Sequence, residues 1–374
     1  MSVDKYKKIF RKKRNYSIGV EEEFMICDPN TGELINKASD IMSRVKDKDR
    51  YSYELLLSEI ETNTPICDTA NDSIKFLSNQ RTELKNIGDE IGYKIGISGT
   101  HPTAMAINQK FVENNSYNWV SEQLKYYAKR NITFSTHIHI SVDDPDRAIK
   151  ITNATRRWIP ALLALSANSP FFEGENTGFK SSRTMQFGSF PKTNIPVKIE
   201  SFDSYISLVE TLLSTNSIQQ PRQIWWKIRP HLDYGTLEYR ICDVQRSLGR
   251  TKMLIAITQA LVHSYDHKVK LNRNIEDMNY EILNDAFWKA MRFDFDAIIT
   301  DCFDGQKLSL KNYIYKMIDN IYSSLEELDN LDIIDTVDKI IQDGTEADRQ
   351  IEVEKKDGIN ELLLLLMNEV EYRI

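Results

Sequence analysis

Four cysteines in 374 residues, Cys27, Cys67, Cys242 and Cys302, are too few and too widely spaced for a disulfide framework, and none forms a CxxC pair. That pattern favours reduced thiols and a cytoplasmic setting. No apolar run approaches the ~20 residues needed to span a bilayer, and the N-terminus lacks the apolar core of a secretory signal. A membrane partner is therefore not expected. Excess basic charge is lacking as well. The formal net charge of -7 argues against a general nucleic-acid binder, which needs clustered Lys and Arg for phosphates. The single basic run, Lys5 to Arg14, is short and terminal, and residues 1–16 are expected to form a solvated or frayed lead-in. No Gly/Ser linker, internal repeat, Walker motif or GxGxxG spacing occurs. Length alone allows two or three domains. Without a linker, one compact domain over 1–374 is the simplest account, with 271–374 as a mostly helical C-terminal layer.

What is present is a set of strands that break a local rule. The stretch Arg222–Asp243, RQIWWKIRPHLDYGTLEYRICD, reads as a hairpin, with Pro230 to Gly235 supplying the turn. On its second strand, alternation sends Leu237, Tyr239 and Ile241 to one face and Glu238, Arg240 and Cys242 to the other. Lys227 and Arg229 share a face of the first. Ser17 to Ile26, SIGVEEEFMI, is a further strand, with Val20, Glu22 and Phe24 facing one way and Glu21, Glu23 and Met25 the other. Carboxylates at i and i+2 on one face repel unless a cation or solvent separates them. Such a local violation marks a functional site. Asp28-Pro-Asn-Thr-Gly32 is a turn.

Tyr53–Thr64 contributes Glu54, Glu59 and Glu61. On a strand Glu59 and Glu61 share a face; on a helix Glu54 and Glu61 do, and the residues alone leave both open. Asp72–Gly92 has the spacing of an amphipathic helix, and Lys94–Ser98 that of a short strand. His101, before a proline, is expected to be structural. Thr133–Val142, TFSTHIHISV, alternates again, with Ile138 and Ile140 toward a core and Ser135, His137, His139 and Ser141 opposite. Two imidazoles at i and i+2 can point into one cavity, and neutral imidazole is a common metal ligand.

Asp143-Asp144-Pro145 caps a helix running to about Trp158, which Pro160 breaks or kinks. Asn168–Pro196 loses periodicity and reads as a long lid or substrate loop carrying Arg183. Arg250–Lys270 is a strong helix. His263 and His267 lie near its end at i and i+4, a spacing able to bind metal. Without a neighbouring acid motif they are expected to be surface charge acting on the helix end. Leu362 to Met367 is the apolar contribution of the C-terminal layer.

Four strands thus offer polar faces, Glu21/Glu23, Glu59/Glu61, His137/His139 and Glu238/Arg240. An antiparallel sheet could gather them on one surface, with apolar faces packed under helices, in an α+β fold. Oxygen-rich ligation with one or two imidazoles suits Mg²⁺ or Mn²⁺ better than Zn²⁺. Several such ions with arginines is the equipment of phosphoryl transfer. A metal-dependent hydrolase using His137 and His139 is the alternative enzyme, short of the further histidines a zinc hydrolase needs, and a non-catalytic nucleotide-binding relative is the third reading.

In order along the chain, GVEEEFMICDPNTGEL, the HPT and HIH segments, ALSANSPFFEGENTGFKSSR and IRPHLDYGTLEYRICD resemble the carboxylate–amine ligases of the glutamate–cysteine ligase type 2 family. The resemblance runs from Ser17 to Gln259. It implies a glutamine-synthetase-like architecture, a curved antiparallel sheet with helices on its convex face and ATP and Mg²⁺ on its concave face. It also implies an ATP-dependent activity in which a carboxylate, typically the γ-carboxylate of glutamate, becomes an acyl phosphate that cysteine or another amine attacks. By motif position it assigns Glu21, Glu23, Glu61, His137 and Glu238 to metal, and Glu54, His139, Arg183 and Arg240 to substrate or nucleotide. Arg240 and Glu238 are the expected catalytic pair. Small-molecule substrates are the expected partners, together with a homodimer or larger homo-oligomer. Thr136 and Pro65 stand where relatives often carry glycine, which should alter local shape rather than ligation.

Overall fold

A computed structural model describes residues 3–113, 115–271, 273, 275 and 277–373. The alternating stretches become strands of one seven-stranded antiparallel sheet. Its members are β1 (Ile18–Cys27), β2 (Tyr51–Ser52), β3 (Glu59–Asn63), β4 (Lys94–Gly96) and β5 (Ser135–Ser141). Two short strands, β6 (Phe171–Phe172) and β7 (Glu175–Asn176), form a separate hairpin, and β8 (Ile228–His231) and β9 (Thr236–Asp243) complete the large sheet. The order is β2-β3-β1-β5-β9-β8, with β4 pairing the C-terminal end of β1. A last pair, β10 (Ile298–Thr300) and β11 (Lys307–Ser309), lies among the C-terminal helices. The fold is α+β.

One face of the sheet is apolar, because Ile18, Val20, Phe24, Ile138, Ile140, Leu237 and Tyr239 alternate onto it and are at most 2% exposed. Helices Ala70–Ile91, Pro145–Thr155, Ile159–Ser166 and Leu248–Lys270 cover that face. The helix starts follow their cap chemistry. Asp144 accepts from Arg147 N at 2.7 Å before Pro145, and Thr69 accepts from Asp72 N, while Gly92 ends its helix in the left-handed conformation that a side chain disfavours. Pro160 does not interrupt a helix interior. A 3₁₀ turn, Arg156–Trp158, separates the two helices and the proline sits in the first turn of the second, where its missing N–H costs nothing.

Glu22, on the apolar face, is fully buried and paired with Arg81, also fully buried. The guanidinium donates to Glu22 through Nε at 2.9 Å and Nη2 at 2.6 Å, and to the carbonyls of Gln245, Arg246 and Glu371. Thr251 Oγ1 donates to the same carboxylate at 3.2 Å. The middle glutamate of the triplet is thus a structural ion pair joining the sheet to two helices and the C-terminal strip.

Three expectations are corrected. The basic lead-in, from Val3 onward, is a helix (Val3–Arg11; residues 1 and 2 lie outside the described residues) that buries Tyr6 and Phe10. Their i, i+4 spacing makes an apolar stripe on an otherwise charged segment, and Phe10 meets Phe202 edge-on at 5.4 Å. The Asn168–Pro196 loop carries the β6–β7 hairpin and a short helix, Ser182–Phe187. Cys242 does not share the face of Glu238 and Arg240. Tyr239 pairs with Ile138 and Cys242 with Thr136, so Arg240 and Ile241 together stand opposite His137, a bulge that returns Cys242 to the core.

Asp294, at the end of helix Tyr280–Phe293, is 2% exposed with φ near 50° and no well-formed hydrogen bond to either carboxylate oxygen. Burial, with Asp348 nearby, holds its carboxyl well above the ordinary 3.8. A raised folded-state value means its contribution to stability is full below 3.8 and is lost as pH climbs through the raised value. Asp294→Asn, which also tolerates positive φ, should stabilise the protein at neutral pH by about 1–3 kcal/mol. The gain should vanish as pH falls toward 3.8. Thermal melting across pH checks this, and an Asn variant melting lower at neutral pH contradicts it.

Candidate active site

The polar faces of β3, β1, β5 and β9 lie side by side and floor a cleft of about 460 Å³. Register does the assembling. Glu23 pairs with Glu61 across β1–β3, Glu21 with His137 across β1–β5, His139 with Glu238 across β5–β9, and Glu238 with Arg229 across β8–β9. Because cross-strand partners share a face, each pairing puts both side chains into the cleft. β3 settles the ambiguity of Tyr53–Thr64: Glu59 and Glu61 share a strand face, and Glu54 joins them from the preceding loop.

Two groups of donors converge. Glu21, His139 and Glu238 have ligand atoms within 4.8 Å of one another, as do Glu23, Glu54 and Glu61. In the first, His139 Nε2 lies 3.3 Å from Glu21 and 3.9 Å from Glu238, while its Nδ1 is 2.9 Å from Thr236 Oγ1. Glu238 is bonded to both Arg229 and Arg240. In the second, Glu23 accepts from Ser135 N and Ser135 Oγ, both at 2.6 Å, and Glu61 accepts from Asn63 at 3.0 Å. His137 bridges the groups, donating to Glu21 at 3.0 Å and lying 2.7 Å from Ser135 Oγ.

The two groups differ in charge balance. Burial pushes Glu54 up to about 8, with Glu23 and Glu59 adding to the rise. Glu59 and Glu61 are likewise raised well above the carboxylate range, by burial and then by Glu23 and Glu21 respectively. Burial acts upward on Glu238 too, but Arg229 and Arg240 hold it well below the ordinary value. Glu21 is held low against burial by His139 and His137. A crowd of buried carboxylates that resist ionising is short of positive charge.

The sequence-expected residues are brought together: Glu21, Glu23, Glu54, Glu61, His137, Glu238 and Arg240 all line the cleft, with His139 on its floor. His139 rather than His137 falls into a group of converging donors. Arg183 sits in an adjoining recess of about 100 Å³ with Glu23, Glu59 and Arg240. Its guanidinium donates to the carbonyls of Arg240 and Ile241 at 3.0 and 3.2 Å and lies 3.6 Å from Asp243. It therefore pins the bulge that aims Arg240.

Other residues were not singled out beforehand. Arg229 is the cross-strand partner of Glu238, and alternation with Lys227 was its only signal. Lys227 is 1% exposed, its Nζ has no hydrogen-bond partner, and it lies 5.0 Å over the Phe187 ring. Burial, then Arg183 and Arg240, holds its amine well below the usual range. Arg240 Nε is buried without a partner as well. His231 and Tyr234 stack at 4.2 Å and flank His139. His101 is structural as expected, its Nε2 2.9 Å from Gly32 O. Among the described residues no helix is long and apolar enough to cross a membrane.

Known proteins resemble this chain in sequence and in fold. A Solibacter usitatus protein named as a glutamate–cysteine ligase 2 is 31% identical over 363 residues, 95% of this chain and 94% of that one. A Rubrobacter xylanophilus protein named as a glutamate–cysteine ligase 2-1 is 31% identical over 352 residues, 92% of this chain and 91% of its own. The structure of the Francisella tularensis glutamate–cysteine ligase in complex with AMP superposes with a TM-score of 0.71 at 14% identity, covering 96% of this chain and 89% of that one. At that identity the likeness is one of fold. A bifunctional glutathione synthetase from Pasteurella multocida superposes with a TM-score of 0.67, covering 98% of this chain and 53% of that one. The sequence model of glutamate–cysteine ligase family 2 matches residues 17–363, well beyond Gln259 where the recognisable motifs end and into the C-terminal helices. With nearly the whole length matched, the chain belongs to glutamate–cysteine ligase family 2, a family of ATP-dependent carboxylate–amine ligases.

Proposed function

We propose that this protein joins the γ-carboxylate of glutamate to an amine, cysteine or another, at the expense of ATP. The observation that carries this reading is the pairing of opposite deficits in one cleft. Buried carboxylates that lack positive charge stand beside a buried donor, Arg240 Nε, that lacks an anion. A triphosphate with divalent cations supplies both.

The donor set fits Mg²⁺ or Mn²⁺: five carboxylates and one imidazole, with His139 Nε2 buried, unpartnered and between two carboxylates. Glu21, His139 and Glu238 would hold one ion and Glu23, Glu54 and Glu61 another, with His137 orienting Glu21. When bound, the ions neutralise the triphosphate so that an anionic carboxylate can approach it. The remaining work falls to the chain. Arg240, aimed by Arg183 and held by Glu238, meets charge developing on the transferred phosphoryl group. Arg183, from its recess, faces the substrate carboxylate. The half-exposed Tyr234, backed by His231, presents a flat wall for the base.

In this reaction the glutamate carboxylate oxygen bonds to the γ-phosphorus as the bond to ADP breaks. The amine nitrogen then bonds to the carbonyl carbon as phosphate leaves with its oxygen and the amine gives up a proton. ADP release from ATP and Mg²⁺ with L-glutamate, across cysteine and a panel of amines, tests the proposal. Release should require both glutamate and one amine, with the matching γ-glutamyl amide found by mass spectrometry. ATP hydrolysis indifferent to both would overturn it.

A further inference from the structure

We infer that His263, His267 and Glu327 form a second metal site, outside the cleft, for a borderline transition ion such as Zn²⁺. The one acid of helix Leu248–Lys270, Asp266, is taken up by Tyr16, Arg147 and Lys270, and the carboxylate comes instead from Glu327, on helix Leu310–Glu327, which packs antiparallel along it. One donor atom from each residue lies within 4.8 Å of the other two. His263 and His267 stand one turn apart with ring centroids at 4.4 Å, and His263 Nε2 is 3.7 Å from Glu327 Oε2. Tetrahedral zinc asks for ligand atoms ~3.3 Å apart, as bonds of about 2.0–2.1 Å dictate. Small rotations of the exposed His267 and Glu327 side chains would therefore close the site.

His263 is built for the role. It is 7% exposed, wedged edge-on against Tyr16 at 4.8 Å, and its Nδ1 lies 2.9 Å from Ser324 Oγ. A histidine whose Nδ1–H is committed to an oxygen keeps Nε2 as a lone-pair donor, the arrangement found behind metal-bound imidazoles. Two imidazoles and one carboxylate suit Zn²⁺, Co²⁺ or Ni²⁺, whereas the carboxylate-rich cleft suits Mg²⁺, so the two sites select different ions. Glu327 is the last residue of its helix, where the carbonyl end disfavours an anion and favours a cation. Such an ion would clip the C-terminal helices to the central one, away from the cleft.

The test uses the full-length protein, stripped of metal and kept in saturating Mg²⁺, titrated with Zn²⁺ against a chromophoric chelator and with Co²⁺ by visible absorption. Wild type should bind one equivalent that His267→Ala weakens by about 100-fold or more, and Co²⁺ should give the intense bands of a low-coordinate nitrogen-containing site. Ser324→Ala, which touches no ion, should weaken binding by about 10- to 100-fold through loss of the Nδ1 partner. Mg²⁺-supported ATP turnover should be unchanged in both variants. Loss of the equivalent in His267→Ala separates this site from any zinc held by the sheet carboxylates. Equal zinc affinity and stoichiometry in wild type and His267→Ala would overturn the inference.

Discussion

Glu23→Gln should lower ATP turnover by about 10³-fold, the several kcal/mol that a correctly held cation contributes to transition-state charge. Glutamine keeps the volume of Glu23 and an oxygen to accept from Ser135 N and Oγ. What it removes is charge, in the one place where three other carboxylates are held back from ionising. The same substitution relieves their repulsion, so the metal-free variant should melt no lower than wild type, while Mg²⁺ should stabilise it less. ADP release and paired melts with and without Mg²⁺ measure both effects. Turnover within a few fold of wild type would remove Glu23 from the proposed metal set.

One residue earlier in the chain, Glu22→Gln should do the reverse. Its carboxylate balances Arg81 where neither is exposed to solvent. Removing one partner of a buried pair costs about 3–5 kcal/mol, because the remaining charge stays desolvated and unpaired. Turnover per folded molecule should stay near wild type, since Glu22 points to the helical face. Chemical denaturation gives the stability change. The double variant Glu22→Gln/Arg81→Met should recover part of it, the signature of a coupled pair. A loss in Glu22→Gln well under ~1 kcal/mol would mean that the pair does not anchor the helices.

These neighbours show how much of the site is written in local pattern. Alternation in SIGVEEEFMI separates Glu22 from Glu21 and Glu23, and the same period separates His137 and His139 from Ile138 and Ile140. Alternation works because the strand period is two and one face must be buried. It failed at Cys242, where a bulge adds a residue opposite His137. It was silent on Glu54, which reaches the carboxylate group from a loop. The helical N-terminal segment was missed because its charge outweighed two aromatic residues, Tyr6 and Phe10, whose burial needs Phe202 and the core beneath. The i, i+4 histidines at 263 and 267 were visible, but their acid, Glu327, comes from a helix brought alongside only by folding.

By itself the sequence determined which side chains most strands present to each face, where the helices after Asp144 and Ser247 begin to within two residues, and the family to which the chain belongs. The first two depend on periodicity and cap chemistry within a few residues, while the family rests on motifs spread along the chain. Only the tertiary structure decided which carboxylates crowd together, that Arg229 and Arg240 share Glu238, and that Arg183 pins the bulge aiming Arg240. Those outcomes rest on strand register and on contacts between residues far apart in the chain. Both are set by the free energy of packing the whole apolar face, which no local stretch contains.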